Sequence, residues 1–529
     1  MRAKFTRYLA IFTALFGAGW LFFTLTGVFA APVDPPEIDA ELDFPTIDPW
    51  ARPPAAHLQA TLTALPQPAA PLALPSSVWR VTVLTDGLYA LSYAELNVAG
   101  VPVASTAPAA YRLFWRGQEV ALDDSEIGAT FESGEAFYFY GEKFHGSAQA
   151  EKYTAENVYW LTVDESTAGL RMASRDVTPS GGGAPLTWYT ETVRREENLV
   201  WWARWSDSPG TAATWFWERM KSTTCTYGIT LTNPSADVYS ATFLVELAGR
   251  SEADHPVRFV LNGIPIGETD WNGQIGHQAA LTFPASIIQA GSNTLERIRL
   301  ATHDSYLNWF EIQYRRRPVA EDNELALLVP LSGNTAFTLT EFPAGDVHLY
   351  ETTIPTRPVR LTNATYSANR LIYEDVATAG DIYLATSVTR KPAEIGAYSP
   401  ASELLSPREG ADLIVLTARE FFTSVQPLVE RRRSQGLRVQ LVDVADSYAL
   451  FNGGIVHPEA IRSLVAYAYN NWPGPSPQYL LLVGDASFNL KGYTETDYGT
   501  WAPPVIPPYL DFIDPDQGEV PVDAYFGDV

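Results

Sequence analysis

Leu413-Ile414-Val415-Leu416, Leu437-Arg438-Val439-Gln440-Leu441-Val442-Asp443-Val444 and Tyr479-Leu480-Leu481-Leu482-Val483 decide how the carboxyl-terminal part of this chain folds. The first and third are uninterrupted apolar runs, the pattern of strands covered on both faces of their sheet. Between the first two runs, Phe421, Val425 and Leu428 fall at i, i+4 and i+7, and Gly436 is a natural helix stop. Pro427 inside that stretch predicts a kink or a later helix start. Ahead of the third run, Pro458 and Glu459 suit a first helical turn, and Ile461, Leu464, Val465, Ala468 and Trp472 share one face. Strand, helix, strand, helix, strand predicts a partial α/β domain with a parallel sheet and right-handed crossovers over 400–529.

Upstream the grammar is β. Trp79-Arg80-Val81-Thr82-Val83-Leu84 alternates as a strand, Asp86-Gly87 signals a turn, and similar runs reach Val158 to Val163, so 77–190 reads as a β domain. Residues 195–318 read as a jelly-roll-like β-sandwich of short strands punctuated by turns such as Asn233-Pro234-Ser235, and 319–395 as a β-rich connector. Residues 31–76, rich in Pro and Ala, read as a linker. The chain starts with Arg2, Lys4 and Arg7, then an uncharged run from Tyr8, then Val28-Phe29-Ala30 as a small-residue cleavage site. We therefore expect 1–30 to be a signal peptide and the protein to be secreted or on the cell surface, with a retained anchor as the alternative.

Of the 529 residues, 36 are basic and 61 acidic, a formal net charge of −25, which argues against nucleic acid and against anionic lipid as partners. Hydrophobic content of 46 % excludes a disordered chain. A single cysteine excludes a disulfide scaffold and any Cys₄ or Cys₂His₂ zinc site.

Ligands of open parallel sheets bind outside the carboxyl ends of the strands. Those ends carry Thr417, Asp443 and Gly484-Asp485, and an acidic segment follows with Asp511, Asp514, Asp516, Glu519 and Asp523. Asp443, Asp485 and Asp523 are the candidate site carboxylates. Asp485 reads either as a turn residue bonding loop amides or as a site carboxylate or metal ligand. Asp514-Pro515-Asp516-Gln517-Gly518-Glu519 is oxygen-rich as calcium prefers, but it lacks the EF-hand spacing and also reads as a solvated acidic loop. Cys225 has no nearby His or helix start to lower its pKa and reads as a structural thiol. His57, His145, His255, His277, His303, His348 and His457 show no metal spacing, and His457 reads as the N-cap of its helix. The clusters Trp201-Trp202-Ala203-Arg204-Trp205 and Trp215-Phe216-Trp217 suit sugar stacking or core packing. No Gly-x-Ser-x-Gly elbow, Walker loop or dinucleotide fingerprint is present, and no motif requires a cofactor.

A family resemblance rests on Gly410-Ala411-Asp412-Leu413-Ile414-Val415, Arg433-Ser434-Gln435-Gly436-Leu437 and Phe451-Asn452-Gly453-Gly454-Ile455. It continues through Tyr479 to Phe488, Val505-Ile506-Pro507-Pro508-Tyr509 and Asp523-Ala524-Tyr525-Phe526-Gly527. In order and spacing these resemble the gingipain family of secreted bacterial cysteine peptidases. The resemblance implies a caspase-like α/β sheet, a His–Cys dyad, and protein or peptide substrates. The family's His sits in a Gly-His-Gly turn after a later strand and its Cys after the next strand, and neither matches a position up to Val529. It therefore implies a cysteine endopeptidase represented by its amino-terminal portion, with no catalytic residue here and no activity as given. The alternatives are a component of envelope secretion or surface attachment, and a non-enzymatic adhesion protein with glycan contacts on the sandwich.

Overall fold

The computed structural model describes residues 71–72, 74–202, 213–342, 346–494, 503–514, 518–527 and 529. The expected signal peptide and nearly all of the 31–76 linker lie outside the described residues. Leu413–Thr417 is the middle strand of a three-stranded sheet, with Val439–Asp443 on one side and Tyr479–Val483 on the other, all parallel. All five of its residues are buried. Ile414 and Leu416 pack on one face with Val442, Ile461, Leu464 and Ala468, while Leu413 and Val415 pack on the other with Val429 and Val439. Burial on both faces is what its apolar run requires.

The helices are Phe422–Ser434, Val444–Phe451 and Pro458–Asn471. The first begins ahead of Pro427 and holds that residue inside, so it forgoes the bond a residue-427 N–H would donate to the Thr423 carbonyl. It ends where Gly436 takes φ 90° and the Leu437 N–H closes on the Arg432 carbonyl at 3.2 Å, a left-handed wrap that glycine makes at low cost. The second strand is shorter than its run suggests, because Asp443 caps a helix that already starts at Val444. The third strand departs further from its sequence reading. Tyr479 is 54 % exposed and its four successors are half-buried, since the strand lies at the edge of the sheet.

The β-rich part is nested rather than serial, which corrects the linear partition into 77–190, 195–318 and 319–395. Val78–Val83 pairs with Asn157–Val163, and its other edge pairs with Glu394–Tyr398, a strand returning from more than 300 residues away. Ala173–Asp176 and Ala184–Pro185 leave the first unit and add parallel edges to Val359–Thr362 and to Thr335–Ala336. The expected connector is therefore part of two sheets, of five and four strands, around Val177, Phe337, Leu339, Tyr373 and Tyr383. Tyr189–Glu196 crosses into the sandwich, whose two antiparallel sheets enclose Phe243, Phe259, Leu295 and Phe310. Alternation identifies a strand, but its partner is set by long-range packing.

The first β sheet is covered on both sides. Val81, Leu113 and Leu161 face its own core, where they pack with Phe139 of the neighbouring strand pair. Val78, Val158 and Trp160 face Ala449 and Ile455 of the α/β unit, and the Trp160 indole N–H donates to the Gly453 carbonyl at 2.9 Å. Among the described residues no helix is long and apolar enough to cross a membrane.

Candidate functional site

The carboxyl ends of the three parallel strands are tied together. Thr417, fully buried, donates its hydroxyl to the Val483 carbonyl at 2.7 Å. Asp443 is 7 % exposed, with one carboxylate oxygen accepting from the Ala445 N–H at 3.1 Å and the other from Arg419 Nε at 2.9 Å. It therefore works as a helix cap and as the anchor of an arginine. Arg419 also reaches Asp446 at 3.5 Å. Asp446 is 2 % exposed and accepts from the Tyr398 hydroxyl at 2.7 Å and the Ala401 N–H at 3.1 Å. Burial raises its carboxyl above the ordinary range, opposed by those hydrogen bonds. Neither Asp446 nor Arg419 was singled out from the sequence. Their signal was position, since Arg419 follows the first strand by two residues and Asp446 lies in the first turn after the second.

Asp485 is exposed at the end of the edge strand, and its carboxylate accepts from the Val505 N–H at 3.4 Å. Gly484 takes φ 152°, and a Cβ there would sit 2.5 Å from Val505, so the close approach of Val505 demands glycine. Asp523 is exposed and opens the short helical turn Asp523–Phe526, whose Phe526 joins the core. The three carboxylates thus have three different settings, and no hydrogen bond or ion pair of the described residues joins them. Among the described residues no group of three or more His, Cys, Asp or Glu is placed to hold a metal. Of the oxygen-rich segment, Asp516 lies outside the described residues. Asp511 begins the acidic part of the strand Leu510–Asp514, which pairs with Gly518–Pro521. Glu519 is 7 % exposed and bonds Lys152 of the first β unit at 2.6 Å, so its carboxylate is committed to a buried ion pair rather than to solvent.

The loop after the edge strand is held by both neighbouring β units. Trp201 meets Phe488 at a tilt with ring centroids 4.7 Å apart, Trp215 stacks on it at 6.2 Å, and Trp215 also meets Tyr493 at 5.3 Å. Lys491 donates to the Glu151 carbonyl at 2.7 Å, and Tyr153 packs with Leu490 and Leu510. Trp202 lies on Tyr306 at 4.6 Å and Trp217 on Phe310 at 5.8 Å. These four tryptophans are used in packing; Trp205 lies outside the described residues.

Cys225 sits in the sandwich strand Thr224–Leu231, with Ser222 Oγ at 3.6 Å. Burial pushes its thiol up and Glu218 adds to the shift, the opposite of what a nucleophile needs. His277 bonds Thr269 at 2.6 Å and stacks on Trp271 at 4.8 Å. His457 accepts from the Glu459 N–H through Nδ1 at 3.1 Å as the helix N-cap. The strand ends thus form an edge lined by Asp443, Asp446 and Arg419, with no cysteine among the described residues there.

A parallel sheet flanked by helices, preceded by β units that grip its loops, defines an α/β class of fold. Residues 406–529 match the model described as Peptidase family C25. The structure is similar to that of dimeric latent PorU from Porphyromonas gingivalis, at 16 % identity and a TM-score of 0.63, over 86 % of this chain and 46 % of that one. The chain therefore spans about half the length of that protein. A family 35 carbohydrate binding module from Clostridium thermocellum is matched at 12 % identity over 24 % of this chain and 95 % of the module, with a TM-score of 0.16, too low to define a shared fold. No curated protein matches the chain.

Proposed function

We propose that this polypeptide belongs to an exported cysteine endopeptidase of the gingipain kind, acting on protein or peptide substrates at the carboxyl edge of its parallel sheet. The observation that carries this reading is the parallel sheet Val439–Asp443, Leu413–Thr417, Tyr479–Val483 lying inside the residues matched to Peptidase family C25. Thiol catalysis needs a thiolate, an imidazole base and oxyanion donors in register. Cys225 meets none of these needs, so the reading assigns the nucleophile and its histidine to residues other than those of this sequence. Asp443 and Arg419 then shape the edge, and the basic-then-apolar segment 1–30 directs export.

The test is labelling of the natural gene product with an electrophilic thiol probe during hydrolysis of a fluorogenic peptide, followed by peptide mapping. Label on a cysteine other than Cys225, with unchanged hydrolysis in Cys225→Ser, is the expected result. Label on Cys225 together with loss of hydrolysis in Cys225→Ser would overturn the proposal.

A further inference from the structure

Where the first β unit, the sandwich and the third β unit meet, the fold forms a half-open cavity of about 530 Å³. Asp86, Tyr140 and Glu142 come from the first unit, Arg316 from the sandwich, and Thr352 and Arg390 from the third. The charged groups are mostly paired internally. Arg390 makes two bonds to Glu324 at 2.7 and 2.8 Å, Arg316 bonds Glu191 at 3.0 Å and Glu321 at 2.9 Å, and Asp86 bonds His145 at 3.2 Å. Glu142 and Asp322 are different: neither carboxylate makes a hydrogen bond or ion pair with another described residue, and of the two Asp322 is exposed while Glu142 is half-buried. The Glu142 backbone N–H is taken by the Tyr159 hydroxyl at 3.1 Å.

Two further polar groups border the same space without partners. Thr352 is 2 % exposed and its hydroxyl has no hydrogen bond. Tyr140, two residues from Glu142 and on the same side of the strand, makes none through its hydroxyl either. The buried Thr352 hydroxyl left unbonded costs about 1–3 kcal/mol, while the Tyr140 hydroxyl and the Glu142 carboxylate are half-buried and open to a ligand that enters the cavity. The opposite wall is apolar. Along Glu324–Leu328 the core takes Leu325 and Leu327, so strand alternation turns Ala326 and Leu328 to the cavity, beside Ile382 and Val388.

One anionic group, two hydroxyls and an aliphatic wall are complementary to a short chain ending in a cation. We propose that this cavity binds a primary alkylammonium group, from a lysine side chain or a free amine, with the ammonium on Glu142 and the alkyl stem along Ala326 and Leu328. The role is independent of peptide hydrolysis and of the C25 assignment. Metal is disfavoured as the occupant, since the described carboxylates and His145 do not converge as a coordination set.

Burial, with Asp86 adding to it, pushes the Glu142 carboxyl up to about 7, and His145 opposes the shift. Of the other charged groups around it, Glu324 with Arg390 and Glu191 with Arg316 are already paired, and Asp322 stands at the solvent-exposed rim. Binding therefore releases a proton below pH 7, and affinity should fall about tenfold per pH unit there.

The experiment is calorimetric titration of the whole chain at pH 8 with pentylammonium, with Nα-acetyl-lysine methylamide and with neutral 1-pentanol, each to about 10 mM, where millimolar affinity is readable. Pentylammonium should bind and pentanol should not. Binding of the lysine derivative as well assigns the site to a protein segment, and its exclusion assigns it to a free amine. Glu142→Gln should abolish binding at least tenfold and Tyr140→Phe weaken it several-fold. Absence of amine binding, equal binding of pentanol, or unchanged affinity in Glu142→Gln would overturn the proposal. Should Glu142→Gln fail to fold, the wild-type chain decides, because a pentylammonium affinity unchanged between pH 8 and pH 6 overturns it equally.

Discussion

Leu413–Thr417 and Tyr479–Val483 belong to one sheet, pair with each other residue for residue and are similarly apolar. They differ in what covers them. The middle strand has a ladder on both edges and side chains on both faces, and every residue is buried. The outer strand has one ladder, and no residue of it reaches full burial. Apolar content therefore reports what a strand is built to sit against, while its position in the sheet decides how much of that burial it obtains. The two also differ in how their surroundings are fixed. Helix and strand packing holds the centre, whereas polar and aromatic contacts from distant β units hold the outer region: Lys152 to Glu519, Lys491 to the Glu151 carbonyl, and Trp215 to Phe488.

The largest expected effect falls on that outer region. Lys152 and Glu519 have side chains only 14 % and 4 % exposed. Lys152→Met leaves a buried carboxylate without its cation and should cost about 3–5 kcal/mol. Hydrogen exchange should show Leu510–Asp514 and Gly518–Pro521 opening while Leu413–Thr417 stays protected. Addition of Glu519→Leu should recover most of the loss. Uniform deprotection of both regions would break the distinction, since it would mean that they open as one unit.

This difference separates what the sequence disclosed from what it concealed. The parallel sheet, the helix stop at Gly436 and the His457 cap were legible because each is written in local residues: an apolar run, a glycine past the last turn, an acceptor ahead of Pro458. The nested order of the β units was not, because Glu394–Tyr398 carries no mark that its partner is Val78–Val83. Site residues divide the same way. Asp443 was found at a strand end, but its role as a cap bound to Arg419 depends on a side chain arriving from another loop. Glu142 looked like one acid among 61, and only the fold leaves it without a partner.

Next in size is the centre itself. Ile414 is fully buried between the strands and the helix Pro458–Asn471. Ile414→Ala should cost about 3–4 kcal/mol through lost burial and the cavity left behind, read by chemical denaturation. A loss under about 1 kcal/mol would mean that the centre relaxes as freely as the edge.

The same helix carries a pH test of the centre. Burial, reinforced by the nearby Arg116 guanidinium, lowers the His457 pKa from its ordinary 6.5 to about 4. The ring is neutral in the fold, where Nδ1 accepts the Glu459 N–H and the ring meets Tyr153 edge-on at 4.8 Å. A base with a depressed folded pKa contributes stability that is complete above about pH 6.5 and is lost as pH falls toward 4, here about 2–3 kcal/mol. His457→Asn keeps a capping acceptor without a titrating ring. Its denaturation midpoint should lose most of the wild type's fall between pH 6.5 and 4. An identical fall in both proteins would place the acid sensitivity elsewhere.

The smallest effect is the sharpest check on the comparison. Leu481 is the edge counterpart of Val415 and packs with Leu413, Val415 and Val429, but it is only half-buried. About half the burial should give about half the transfer loss and little residual cavity, because solvent can fill the space. Leu481→Ala should therefore cost about 1 kcal/mol, roughly a third of the Ile414→Ala loss. The ratio carries more information than either value, since both substitutions share the same sheet and the same unfolded chain. A Leu481→Ala loss equal to that of Ile414→Ala would mean that the edge strand is covered as completely as the middle one.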